Sequence, residues 1–145
     1  MKDEFLIKIV TIQDVEGERE ILEMTTQATL NGENDDYSLT YVDETGDLAG
    51  CQTTLRVQNG NCVTIRREGS YNSHMIVEKN VRHISLHDTP YGSFALGISA
   101  KNIESKINNG KGSLKFKYAT DVDMRPMGEI EFNITLDKRL SNHIN

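Results

Sequence analysis

The stretch TTLRVQNGNCVTIRREG, residues 53–69, decides the fold. Leu55, Val57, Val63 and Ile65 alternate with polar residues on either side of Asn59-Gly60, the period of two that marks extended chain with one apolar face. Cross-strand neighbours share a face, so the apolar residues of two paired strands must meet one another, and that requirement selects the turn. A two-residue loop would set Leu55 and Val57 opposite Thr64 and Cys62. A three-residue loop, Gln58-Asn59-Gly60, sets Leu55 beside Val63 and Thr53 beside Ile65, with Gly60 as the left-handed residue of a bulge. The three-residue loop is therefore predicted. Arg67 has the parity of Val63 and Ile65, so this register points its guanidinium inward, near one end of the strand.

Working outward, the same test on Thr89-Pro90-Tyr91-Gly92 pairs Leu86 with Leu96 and Ile84 with Ile98 if Pro90-Tyr91-Gly92 is the loop. At Asn109-Gly110 a two-residue type I′ loop is the better match, because it sets Ile103 beside Phe116 and Ile107 beside Gly112. Ten strands follow: residues 5–12, 20–30, 37–42, 52–57, 62–67, 73–77, 81–88, 93–107, 112–122 and 128–136. No stretch shows a clean helical period. The expected inward set is Leu22, Met24, Ala28, Leu39, Tyr41, Leu55, Val57, Val63, Ile65, Met75, Val77, Ile84, Leu86, Phe94, Leu96, Ile98, Phe116, Tyr118, Ile130 and Phe132. An all-β antiparallel meander with one apolar face and no helices to cover it buries that face most simply by closing into a barrel. The alternative, a two-sheet sandwich, needs longer crossing connections.

Composition bounds the rest. The chain has 145 residues, 37% hydrophobic, with 22 acidic against 16 basic side chains and a net charge of -6. This is enough for one core, so a single domain is expected over residues 1–139 with a polar tail at 140–145. The acidic balance, with no basic block, argues against a nucleic-acid partner. No apolar run approaches the ~18 residues of a membrane span, so no membrane partner is expected. Charges at Lys2, Asp3, Glu4 and Lys8 interrupt any signal-peptide core. Cys51 and Cys62 fall on opposite faces of one hairpin, so two free thiols and a cytoplasmic location are expected. Oligomeric state is not readable from these features.

The order T-T-L-R-V-Q-N-G from Thr53, then Arg67-Glu68-Gly69, Asn72-Ser73-His74-Met75 with Glu78, and Asp88-Thr89-Pro90-Tyr91-Gly92 resembles the YwiB-like family of bacterial proteins. The resemblance covers nearly the whole chain and is strongest over Thr53 to Ile98. It implies a cytoplasmic, calycin or lipocalin-like barrel of about ten strands, in a domain family whose function is open.

Arg67 is the most informative position. Five fixed donors among aliphatic side chains suit a carboxylate or phosphate, so a small, partly apolar or anionic ligand inside the barrel is the leading functional reading. Tyr41, Ser73 and Thr26 share the inward parity and would complete the site, with Tyr91 at a loop tip as a binding lip. The plainer reading is an arginine that closes the barrel by bonding carbonyls or an inward carboxylate such as Asp88. Three histidines, His74, His83 and His87, are expected on the outward face. His83 and His87 stand about 13 Å apart along one strand, too far to share a metal ion. His143 lies in the tail. No nucleophile with a base, calcium loop or cofactor motif is present, so no catalytic residue, metal or cofactor is assigned and an enzyme ranks last. The rival to ligand binding is a packed barrel that docks a protein partner. A void of a few hundred Å³ reached by Arg67 would favour the first, and a filled interior with an exposed apolar patch the second.

Overall fold

The computed structural model describes residues 2–44, 49–70, 72–89, 92–108 and 111–140. Ten strands follow one another: β1 (Lys2–Val15), β2 (Glu18–Glu33), β3 (Asp36–Val42), β4 (Gln52–Gln58), β5 (Cys62–Glu68), β6 (Ser73–Glu78), β7 (Arg82–Thr89), β8 (Gly92–Ser105), β9 (Gly112–Val122) and β10 (Arg125–Arg139). Their spatial order is β6-β5-β4-β3-β2-β1-β10-β9-β8-β7. The sheet is thus an antiparallel meander in which the first strand pairs with the last, from Phe5 opposite Arg139 to Val15 opposite Gly128.

The ring is nearly closed. β6 and β7 run side by side, but among the described residues they share no ladder. A single bridge, Glu78 with Val81, and the Ser85 hydroxyl donating to the His74 carbonyl at 2.7 Å span this seam.

The two ends differ because the alternation is filled differently along it. At one end Phe5, Leu30, Tyr37, Val57, Val63, Val77 and Leu114 are buried. Tyr37 places its hydroxyl 2.7 Å from Ser105 Oγ, and burial pushes its pKa up to about 12. The opposite end is the mouth, where the inward positions turn polar. The β1–β2 and β9–β10 hairpins project beyond it and pair with each other. Leu140 is still tied to β1, its amide donating to the Glu4 carbonyl at 2.8 Å. The rest of the expected tail lies outside the described residues.

The β4–β5 hairpin has the expected loop length, displaced by one residue. Gln58 pairs with Cys62, Val57 with Val63 and Leu55 with Ile65, so the loop is Asn59-Gly60-Asn61. Both Asn59 and Gly60 take positive φ, at 53° and 66°, and Asn61 N donates back to the Gln58 carbonyl. The register moves by two residues, which leaves every face as predicted. Leu55, Val57, Val63 and Ile65 are fully buried together. The β8–β9 register also agrees, with Ile103 opposite Phe116 and Asn108 opposite Lys111. The turn residues Asn109 and Gly110 lie outside the described set.

β7 corrects an expectation. Thr89 pairs with Gly92 and His83 with Ile98, leaving two residues in the loop rather than three. The odd change flips the whole strand. Ile84 and Leu86 stand outside at 57% and 73% exposure, while Ser85 and His87 point in and are buried. The inward slots beside the seam go to side chains that satisfy polar groups there: Ser85 bonds the β6 backbone and also lies 3.2 Å from His87 Nε2. Leu22 and Phe94, expected inside, are about two-fifths exposed at the mouth. A bulge between Ala100 and Asn102 explains a further difference, since it switches the inward parity of β8 from Ile98 to Ile103.

Candidate binding site at the barrel mouth

Arg67 ends the inward row of β5. Its cross-strand partners are Thr53 on β4 and Ser73 on β6, which the same parity rule points inward. Thr53 is fully buried and Ser73 is 8% exposed. The Arg67 side chain is half-buried and divides two hollows. The inner one, about 80 Å³, lies inside the mouth between Arg67, Tyr41, Asp43, Met24, Leu22 and Phe132. The outer one, about 330 Å³ and open to solvent, lies by the upper seam between Arg66, Arg67, Ser73, His74 and Leu86.

Hydrogen bonding around Arg67 is incomplete. Its Nε–H is buried and finds no acceptor, and the Ser73 hydroxyl beside it is buried and likewise unpaired. Among the described residues no ion pair involves Arg67. A buried donor without an acceptor costs about 1–3 kcal/mol, so two adjacent ones mark a place where something else is accommodated.

The surroundings hold their own protons firmly. Burial, with the nearby Asp43 carboxylate, pushes the Tyr41 hydroxyl well above the usual phenol range, while Arg67 acts weakly against this. Tyr41 is therefore a neutral donor. Asp43 Oδ2 accepts a 2.6 Å bond from the Thr53 hydroxyl. Burial, followed by the Arg67 charge, lowers the pKa of His87, whose ring stacks on Phe94 at 5.6 Å. His87 is thus neutral at pH 7 and is not the surface histidine expected of it. His74 is exposed as expected, and His83 is half-buried with Nε2 2.8 Å from Glu78.

Of the residues singled out from sequence, the fold brings Tyr41 and Arg67 to one cavity and sets Ser73 beside them. Thr26 is buried but separate: its hydroxyl donates to Glu44 at 2.7 Å, and it lines a groove on the far side of Tyr41. Tyr91 and the Asp88 side chain fall outside what is described. Asp43, Thr53 and His87 complete the mouth and were missed. Asp43 and Thr53 carried a legible signal, the inward parity they share with Tyr41 and Leu55, whereas His87 was hidden by the inverted face of β7.

His87 makes the fold sensitive to acid. Its folded pKa is depressed, so the unfolded chain binds the proton more readily. The stability it contributes is complete above the unfolded value of about 6.5 and is lost as pH falls from there toward the folded value. Urea melts between pH 5 and 8 are expected to show this decline, and His87→Gln is expected to flatten it. An equally steep decline in the variant would assign the effect elsewhere.

A nearly closed antiparallel barrel, packed at one end and carrying an incompletely bonded arginine at the other, is the class of molecule these features define. Residues 7–134 match the family model described as a domain of unknown function (DUF1934), and the chain belongs to that family. The crystal structure of the ywiB protein from Bacillus subtilis shares the fold, with a TM-score of 0.76 over 94% of each chain at 18% identity. The resemblance seen in the sequence is thereby upheld. No curated protein matches the sequence.

Proposed function

We propose that the protein is a small-ligand binding protein whose site is the mouth around Arg67, and that it takes an anionic group, carboxylate or phosphate. The observation that carries this reading is the pair of buried, unbonded donors, Arg67 Nε and Ser73 Oγ, paired across the β5–β6 ladder, with Arg67 on the wall of the inner cavity and Ser73 on that of the outer hollow. An oxyanion on Arg67 supplies the acceptor that its Nε lacks, in a setting where charge-assisted bonds are strong. The ligand seat is small. At about 80 Å³ the inner hollow holds a head group or a molecule of a few heavy atoms, not a lipid-sized guest, because Leu39, Leu55, Ile65, Ile98 and Phe116 fill the barrel beneath it. Cys51 and Cys62 are not bridged to each other, which suits a reducing, cytoplasmic setting.

Arg67→Met separates this reading from a structural arginine. If the guanidinium is kept for a ligand, the ligand-free variant loses an unsatisfied buried donor and is expected to gain about 1 kcal/mol, near 3 °C in Tm, while anion binding drops at least tenfold. A structural arginine would instead make the variant less stable. Native mass spectrometry of protein from its own host, before and after denaturation, checks occupancy directly. A second reading, a protein-docking barrel, draws on the exposed Ile84 and Leu86 on the outer face of β7, and predicts a partner chain in the same spectrum.

A further inference from the structure

The inner cavity carries both signs of charge on walls that do not touch. Asp43 lies two residues beyond Tyr41 and so shares its inward direction. Thr53 stands between the two charges, paired in register with Arg67 and donating its hydroxyl to Asp43 Oδ2 at 2.6 Å. Both charged groups line the same 80 Å³, yet they form no ion pair within 4.0 Å. Arginine has a long, flexible stem, and at a partly buried site opposite charges attract strongly enough to close such a gap when nothing belongs in it. Here the gap stays open while Arg67 Nε lacks an acceptor. The remaining wall is mixed, with Leu22, Met24, Ile9 and Phe132 supplying apolar surface and Thr11, Gln13 and Tyr41 polar groups.

We propose that the site takes a small zwitterion of the α-amino-acid class. Its carboxylate would lie on Arg67, its ammonium on Asp43, and a short side chain against Leu22 and Met24. The volume agrees, since 80 Å³ is the space of about three waters and admits a molecule of glycine to alanine or serine size. This inference rests on Arg67 being the anion seat and adds the role of Asp43, which composition and motif left unassigned. A simple carboxylate would satisfy Arg67 but leave the Asp43 wall facing a methyl group, so the two ligand types differ by one charge-assisted contact.

The test is calorimetric titration of the whole chain with L-alanine, propionate and inorganic phosphate. L-alanine is expected to bind at least tenfold more tightly than propionate, the ratio one hydrogen-bonded ion pair supports. Asp43→Asn is expected to abolish the preference, bringing the affinities for L-alanine and propionate to within about twofold of each other. The ligand ratio on the unaltered protein decides the matter even if that variant folds poorly. Equal binding of L-alanine and propionate, or phosphate binding alone, would overturn the zwitterion and leave the anion seat standing. No binding of any of the three would overturn both, and leave bridging water as the content of the cavity.

Discussion

Phe116→Ala is expected to lower the stability of the barrel by about 3–5 kcal/mol, a large share of the 5–15 kcal/mol that holds a domain of this kind together. Phe116 lies on β9, is fully buried, and sits between two other rings, with centroids 4.9 Å from Phe132 and 6.2 Å from Tyr118. The stack crosses from β9 to β10, where Phe116 and Phe132 are directly opposed. A ring in that position cannot be replaced by its neighbours, because each is held by its own strand, so truncation leaves a cavity as well as the transfer loss. Urea denaturation measures the change. Phe94→Ala is the internal comparison: the same chemistry at a position 42% exposed is expected to cost well under half as much. Equal losses at the two sites would mean that the axial stack does not carry the core.

Gly112→Ala is expected to cost about 3 kcal/mol or more, by a different route. Gly112 starts β9 with φ at +120°, a conformation that side chains disfavour, and an added Cβ would overlap the Lys106 carbonyl. The obstacle is backbone, anchored by the 2.8 Å bond from Lys106 N to the Ser113 carbonyl, so relief requires the β8–β9 turn to come apart. Gly92 has nearly the same φ, +121°, with open space around it. Gly92→Ala therefore reports backbone strain alone, and the difference between the two melts isolates the collision. Hydrogen exchange gives the local check: the Lys106 and Asn108 amides should lose protection in Gly112→Ala.

How much of this was legible depends on what decides each face. Across β4 and β5, four aliphatic residues alternate with polar ones and the turn contains Asn-Gly, so parity survives even though the loop sits one residue from its expected place. The Ile103–Phe116 register was legible for the same reason. On β7 the pattern Arg82-His-Ile-Ser-Leu-His87 alternates just as cleanly, and hydropathy assigns Ile84 and Leu86 to the core. The strand does the opposite, because it lies at the seam, where Ser85 and His87 have polar work to do and the solvent side accepts aliphatic chains. Hydropathy alone does not distinguish a seam strand from a central one. The bulge in β8 left a trace, in that Ile98 and Ile103 have opposite parity yet both belong inside. The site was half visible: Arg67, Tyr41 and Ser73 follow from alternation, whereas the separation of Arg67 from Asp43 depends on barrel curvature, which no local pattern encodes.

The unzipped junction between β6 and β7 has a consequence for how the chain could be cut. It falls between consecutive strands, at the Glu78–Val81 bridge, while the most distant segments of the sequence, β1 and β10, share a full ladder. A nick at Asn80 would leave the nine ladders among the described residues unbroken and yield two fragments, one carrying β1 to β6 and the other β7 to β10, whose natural interface is the β1–β10 pair. The molecule is thus disposed to fragment complementation, and to circular permutation with new ends at the same point.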